Sequence, residues 1–269
     1  LNFDDPVGTV CTDSRSFSKG YLFIALKGDL YDGHDFLDQV VKLKPQAVVI
    51  NRAFINKIPH GILCWAVDET LTAYQQIGLL HRTHLNIPVV AVTGSTGKTT
   101  TRQLIKASLK SLGDVASSVN NNNNDVGVPL TLLSANSSHS ALVVEMGMRG
   151  LGEIERLSKF SNPDVAVITN IGSAHIGLLG SYENIAKAKC EITSFLRPTG
   201  LVVIPAYDPL LERQLFSQWH GRVIRVSIED QLPLHTTNIA LLNNQQLPDA
   251  DLVGKVLLDD GLLILEGET

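Results

Sequence analysis

Apolar, largely β-branched residues gather in four short runs, at 89–92, 141–144, 165–168 and 201–204. Runs of this length without polar alternation predict strands buried on both faces. Helical segments separate them, which predicts a doubly wound, mostly parallel sheet. After residue 100, Leu104, Ile105, Ser108, Leu109 and Leu112 recur at the spacing of a helix lying on that sheet. Residues 181–196 predict a later helix capped by Ser181. At about 100° per residue, that helix puts Ile185, Lys189, Ile192 and Leu196 in one narrow arc. Thr236, Asn238 and Ile239, then apolar runs at 256–258 and 262–264 around Asp259-Asp260-Gly261, predict a late β-hairpin.

Upstream lies a smaller α/β pattern. A strand over 21–26 is followed by a helix with Phe36, Leu37, Val40 and Leu43 on one side, stopped by Pro45. Runs at 47–50 and 62–67 read as buried strands. A helix over 68–84 turns Leu71, Tyr74, Ile77 and Leu80 inward, and Asn86-Ile87-Pro88 closes the unit. The expected organisation is an N-terminal domain over 1–86 and a central domain over 87–269.

Composition narrows the class. The chain's 269 residues suffice for one large or two ordinary domains, and 44% hydrophobic with 18% charged residues suits a protein with a sizeable core. A net charge of -5 without a basic tract argues against a nucleic-acid partner. No apolar run reaches the length of a membrane span, and no signal segment opens the chain. Cys11, Cys64 and Cys190 are far apart and lack metal-ligand spacing, so a reducing, cytoplasmic setting is expected.

The chemistry concentrates after the run at 89–92. Thr93-Gly94-Ser95-Thr96-Gly97-Lys98-Thr99-Thr100 is a strand-to-helix turn whose glycines bring backbone N–H groups close to phosphate. Lys98 can reach the outer phosphates, and the Thr99 hydroxyl can bind Mg²⁺. The usual pattern asks for glycine at position 92, which is valine here; the glycine comes at Gly94. Glu145 ends the run at 141–144, Thr169-Asn170 end the next, and His175 follows. Ligands of such sheets gather at these strand ends, where Glu145 is placed to hold Mg²⁺. A helix cap or rim acid is the simpler reading of Glu145, and an ordinary loop residue that of His175. Lys189 on a buried face must be paired or neutral; a neutral amine can take up CO₂, while an ordinary lysine snorkels to solvent or pairs with Glu191. The run from Asn120 to Asp125 is either a flexible loop or a set of amides for a substrate carboxylate or sugar. Arg15 and His34 can bind an anion or simply close turns.

Together these residues resemble the Mur ligase family, most closely the branch that adds D-alanyl-D-alanine to a UDP-N-acetylmuramoyl tripeptide. Asp13-Ser14-Arg15, Gly20-Tyr21-Leu22-Phe23, Leu26-Lys27-Gly28 and Asp32-Gly33-His34 are similar to its first domain. The loop at 93–100 is similar to its ATP loop, displaced glycine included. Residues 121–129 resemble an N-x-N-N-x-I-G-x-P segment, with Val126 for isoleucine. Glu145-Met146-Gly147, Gly152-Glu153-Ile154, Thr169-Asn170-Ile171 with Ala174-His175, and 185–192 complete the match, which thins after residue 204.

The resemblance implies an ATP-dependent amide ligase of peptidoglycan precursor synthesis, acting through an acyl phosphate, cytoplasmic and monomeric. It implies that Gly94, Ser95, Thr96, Gly97, Lys98, Thr99 and Thr100 hold ATP. Lys98, Glu145, His175 and Lys189 carry the catalysis. Thr99 and Glu145 hold one Mg²⁺, and His175 with a carbamylated Lys189 a second. Ser14, Arg15, Lys27, Gly28, Asp32, Gly33 and His34 hold the UDP end of the substrate, and Asn121, Asn123 and Asn124 bind substrate through a carboxylate or sugar. Family members continue into a third domain that closes over ATP, so residues 1–269 are expected to hold nucleotide or UDP-substrate weakly without completing ligation. Three other readings stay open: a generic P-loop kinase or ATPase, a related amino-acid ligase (diamino-acid-adding, folylpolyglutamate or cyanophycin type), and a non-catalytic module that binds a UDP-sugar.

Overall fold

The structure, a computed structural model, describes residues 8–228, 241–242, 245–246, 249–257 and 262–267. Two compact units divide the chain, Leu1–Leu80 and His81–Thr269. In the first, β1 (Val10–Cys11), β2 (Leu22–Ile24), β3 (Ala47–Asn51) and β4 (Cys64–Val67) form a parallel four-stranded sheet in that order. Its core packs Phe17, Phe23, Leu37, Val40, Val48 and Ile50, with Leu37 and Val40 supplied by α1 (Leu37–Lys42).

Two expectations for this region change. The run at 62–67 is not a buried strand: β4 begins at Cys64, has one neighbour, and leaves Trp65 41% exposed. Helix α2 (Thr70–His84) buries Tyr74 but leaves Leu80 60% exposed, while Arg82 is buried. The division between the units falls inside this helix, so no single apolar stripe runs its length.

The second unit follows as β5 (Val89–Thr93), α3 (Lys98–Leu109), β6 (Val115–Ser117), α4 (Gly127–Ser134), β7 (Ala141–Glu145), α5 (Glu153–Ser161), β8 (Val165–Ile168), α6 (Ile176–Leu179), α7 (Tyr182–Cys190), β9 (Leu201–Pro205), α8 (Pro209–Phe216), β10 (Arg222–Ile228), β11 (Leu241–Leu242), β12 (Gln245–Gln246), β13 (Leu252–Leu257) and β14 (Leu262–Gly267). Its eight-stranded sheet has the order β14-β13-β10-β9-β8-β5-β7-β6, and only the β13–β14 pair is antiparallel. The expected doubly wound, mostly parallel sheet is therefore present. The chain leaves β5 towards β7 and β6 on one side and β8, β9 and β10 on the other, which makes the carboxyl end of β5 the switch point. Alternate residues of β5 face opposite layers. Val89 and Ala91 pack with Leu132, Ile154, Leu157, Ile185 and Leu211 from α4, α5, α7 and α8. Val90 and Val92 pack with Ile105 and Leu109 of α3.

The inward face of α3 is thus Arg102, Ile105 and Leu109, whereas Leu104 and Leu112 are 63% and 69% exposed. The expected stripe was one position out at Leu104, and at Leu112 the α-helix has already ended. Helix α7 starts as expected, the Ser181 hydroxyl accepting from Asn184 N–H, but stops at Cys190 and tightens into a 3₁₀ turn. The hairpin is observed in β13–β14, Leu257 opposite Leu262. Its Asp259-Asp260-Gly261 turn, like Thr236, Asn238 and Ile239, lies outside the described residues.

Arg82 organises the entry to this unit. Its guanidinium donates to the carbonyls of Ser161 (2.9 Å), Leu85 (3.0 Å) and Asn162 (3.0 Å) and to Asp164 Oδ2 (3.0 Å), with 1% of the residue exposed. Arg82→Met leaves Asp164 and three carbonyls short of donors, and is expected to cost about 3 kcal/mol in urea unfolding.

Candidate functional site

The glycine-rich turn sits at the switch point. Gly94 has φ +155°, and a Cβ built there falls 1.8 Å from Thr169 Oγ1, so only glycine lets the loop lie against the end of β8. Gly97, at φ +76°, turns the chain into α3 and leaves the first-turn amides of that helix free of backbone partners. Lys98 Nζ donates to Gly94 O (2.8 Å), folding its side chain back over the loop. Burial lowers the Lys98 pKa, and the Glu145 carboxylate works against that shift.

Residues after β8 clamp this turn. Asn170 Oδ1 accepts from Thr96 N–H (3.0 Å) and its amide donates to Thr96 Oγ1 (2.9 Å). Thr169 Oγ1 donates to Thr96 O (2.6 Å), and Gly172 N–H to Ser95 Oγ (2.8 Å). The sequence placed Thr169 and Asn170 at a strand end; bracing of the loop is the part it did not disclose.

Glu145, 2% exposed, ends β7 beside β5, where it pairs in register with Val92. Its Oε2 accepts from Thr99 Oγ1 (3.0 Å) and its Oε1 from Asn123 Nδ2 (3.0 Å). Arg102 Nε lies 3.6 Å from Oε2. A hydroxyl and a carboxylate are hard oxygen donors, so Thr99 and Glu145 fit Mg²⁺. Among the described residues no three His, Cys, Asp or Glu side chains gather as a metal cage. A cation held here would take few protein ligands, in the way Mg²⁺ keeps water and phosphate oxygens.

Lys189 is 1% exposed on α7, and its ammonium makes no hydrogen bond or ion pair among the described residues. Burial, reinforced by the nearby charge of Lys98, pulls its pKa to about 7. It does not pair with Glu191, whose carboxylate instead accepts from the N–H groups of Gly152 (2.8 Å) and Glu155 (3.4 Å) at the start of α5. Burial raises the Glu191 pKa despite those two bonds. His175 is exposed in a left-handed conformation (φ 66°) before α6, and its ring makes no hydrogen bond or ion pair among the described residues. Thr99, Glu145 and Asn123 are therefore brought together; His175 is not joined to them by any such contact.

Within the asparagine run the side chains have distinct tasks. Asn123 reaches Glu145, while Asn124 Oδ1 accepts from Gly127 N–H (2.8 Å) and Val126 N–H (3.2 Å), fixing the start of α4. Asn121 is exposed, and its carbonyl takes Asn123 N–H (2.8 Å). In the first unit, Ser14, Arg15 and Gly33 help line a cavity of about 410 Å³ with Thr12, Asp13 and Tyr31. Arg15 grips Asp13 at 2.9 and 2.7 Å, holding that carboxyl down to about 2. Lys27 bridges to Asp32 across a tight turn closed by Gly28 N–H to Tyr31 O (2.8 Å). His34 is buried: its Nδ1 bonds Asp32 Oδ1 (2.5 Å), its Nε2 accepts from Asn51 N–H (2.9 Å), and its ring stacks on Phe54 at 4.1 Å. Both ring nitrogens are thus engaged inside the unit, with the proton on Nδ1.

A parallel sheet whose switch point carries a glycine turn, a lysine, and a threonine bonded to a buried acid defines a P-loop α/β protein. Residues 92–250 match the Mur ligase middle domain, and the chain belongs to the Mur ligase family. It is 40% identical over 229 residues to the UDP-N-acetylmuramoyl-tripeptide–D-alanyl-D-alanine ligase of Synechocystis sp., covering 85% of this chain and 50% of that protein. It is 43% identical over 203 residues to the Bacillus subtilis ligase of the same name, covering 76% and 44%. Among solved structures, MurF from Acinetobacter baumannii superposes with a TM-score of 0.74 at 31% identity, covering 91% of this chain and 49% of that one. MurF from Thermotoga maritima in complex with ADP gives 0.76 at 27% identity, covering 91% and 52%. The chain spans about half the length of the curated relatives it matches.

Proposed function

We propose that this chain is part of a MurF-type ligase, which joins D-alanyl-D-alanine to UDP-N-acetylmuramoyl tripeptide at the expense of ATP in cytoplasmic cell-wall synthesis. The observation that carries the reading is the cluster of Lys98, Thr99, Asn123 and Glu145 at the β5 switch point. A generic P-loop protein needs the first two. The asparagine bonded to the strand-end acid lies in the segment at 121–129 that resembles the family's N-x-N-N-x-I-G-x-P pattern.

In the proposed reaction the loop amides and Lys98 hold the ATP phosphates. The terminal carboxylate of the tripeptide attacks the γ-phosphorus and ADP departs. The amine of D-alanyl-D-alanine then attacks the acyl carbon, forming the amide as phosphate leaves. Both first reactants are anions, so Lys98 screens their approach. Thr99 and Glu145 would hold Mg²⁺, which would supply further charge neutralisation of the phosphates. Lys189, poised near neutrality, has a lone pair able to add to CO₂, forming an N–C bond and releasing a proton; the carbamate is an anionic ligand for a second cation, with His175 as its proposed partner. The first unit, through Ser14, Arg15 and the turn at 27–34, is proposed to take the UDP end.

Calorimetric titration of residues 1–269 with ADP and Mg²⁺, and separately with UDP-N-acetylmuramoyl tripeptide, tests the reading. Saturable binding of both is expected. Absence of nucleotide binding, or phosphate transfer to a hydroxyl acceptor in place of the carboxylate, overturns it.

A further inference from the structure

Arg102 is the charged residue of this region that the ligase reading leaves without a task. It lies on α3, one helical turn after Thr99, so both side chains approach the same oxygen of Glu145. It is 4% exposed, unusual for a helix arginine, and a buried guanidinium must be held by acceptors. Its Nη1 donates to the Ser118 carbonyl and to Asn120 O (3.3 Å). Its Nε sits 3.6 Å from Glu145 Oε2, too long for a hydrogen bond, and is buried without a partner.

Ser118 ties these contacts into one unit. Its N–H donates to Val143 O (3.0 Å), and its hydroxyl accepts from Glu145 N–H (3.0 Å). Arg102 therefore grips the backbone that leads from β6 into the asparagine run, on the very residue that supports Glu145. The same run delivers Asn123 to the other oxygen of Glu145. The carboxylate is nearly inaccessible and needs a countercharge, and among the described residues the Arg102 guanidinium is the cation in ion-pair range of it.

We propose that Arg102 is a positioning residue: it holds the 118–123 segment and balances the Glu145 charge, so that Glu145 is presented to a divalent cation bound with nucleotide. This rests on the ligase reading for the cation and the nucleotide; the grip on the segment does not depend on it.

The test uses residues 1–269 with Arg102→Gln and Arg102→Lys, both checked for an unchanged circular-dichroism spectrum. Two quantities are read: amide hydrogen exchange over 118–124 without ligand, and the ratio of ADP affinities with and without Mg²⁺. Arg102→Gln is expected to speed exchange in that segment about tenfold relative to the β5 and β8 amides, and to cut the Mg²⁺-dependent gain in ADP affinity about tenfold. Mg²⁺-free affinity should stay within twofold, because Lys98 and the loop amides are untouched. Arg102→Lys keeps the charge but not the two-carbonyl grip, so it should recover part of the Mg²⁺ gain while exchange stays fast. Unchanged exchange in Arg102→Gln overturns the proposal, as does an equal loss of ADP affinity with and without Mg²⁺. If the unsubstituted chain binds no ADP, the ligase reading fails and exchange alone decides the grip. If Arg102→Gln does not fold, the lysine variant decides by its exchange and its Mg²⁺ ratio.

Discussion

Lys98→Met should lower ADP affinity roughly a thousand-fold, about 4 kcal/mol, the scale of removing one partner from a desolvated charge contact. Two effects combine. The ammonium proposed to face the phosphates disappears, and so does the 2.8 Å bond from Nζ to Gly94 O that folds the side chain over the loop. The β8 clamp on Thr96 and Ser95 does not involve Lys98, so the loop itself should persist. The variant should therefore unfold in urea close to the unsubstituted chain while calorimetry finds ADP binding lost. A parallel loss of stability would mean that Lys98 holds the loop rather than the ligand.

The strand-and-turn skeleton of this site was legible because local chemistry decides it. The run at 89–92, followed by two glycines in a short turn and then a helix, has few alternative structures, and Gly94 at φ +155° shows why glycine stands there. What the pattern missed depends on distant partners. Strand β10 carries Arg222 and Arg225, which disguise it as surface; Arg225 is neutralised by Glu212 at 2.6 Å, from a separate helix. Strand β6 is only three residues long, below what periodicity resolves. Arg82 and Arg102 read as ordinary helix arginines, since nothing local announces that carbonyls from other elements will surround them. His34 shows the opposite case. It was legible as a functional candidate by its neighbours Asp32 and Gly33, yet both its nitrogens serve the turn and β3. Lys189 was legible as a lysine on the buried face of its helix, but whether it snorkels, pairs with Glu191 or stays unpaired was not, because that depends on Glu191 being taken by the N–H groups of Gly152 and Glu155.

That lysine supplies the second large effect. Its folded pKa of about 7 stands below the ordinary 10.5, chiefly because burial disfavours the ammonium. The unfolded chain thus binds a proton that the folded chain lacks throughout the window between those values, and stability must rise with pH there. The full contribution is present above pH 10.5, falls by about 1.4 kcal/mol per unit as pH drops to 7, and is flat below. Lys189→Met removes this dependence. The variant should be more stable than the unsubstituted chain by up to about 4 kcal/mol at pH 7, and the gap should close by about 2 kcal/mol between pH 7.5 and 9. Comparing the two chains at each pH cancels Cys190, whose thiol burial raises to about 12 and which loses stability in the opposite direction. Urea unfolding in CO₂-free buffer measures the gap; a gap that does not vary with pH would show that the ammonium survives folding. Bicarbonate adds a second arm. A carbamate, like the neutral amine, lacks the proton that the unfolded lysine binds, so the slope should persist while bicarbonate raises the stability of the unsubstituted chain and adds the mass of one CO₂; neither change should occur in Lys189→Met. Lys98 enters here too: its charge is the second cause of the Lys189 shift, so Lys98→Met should move the onset of the slope to higher pH.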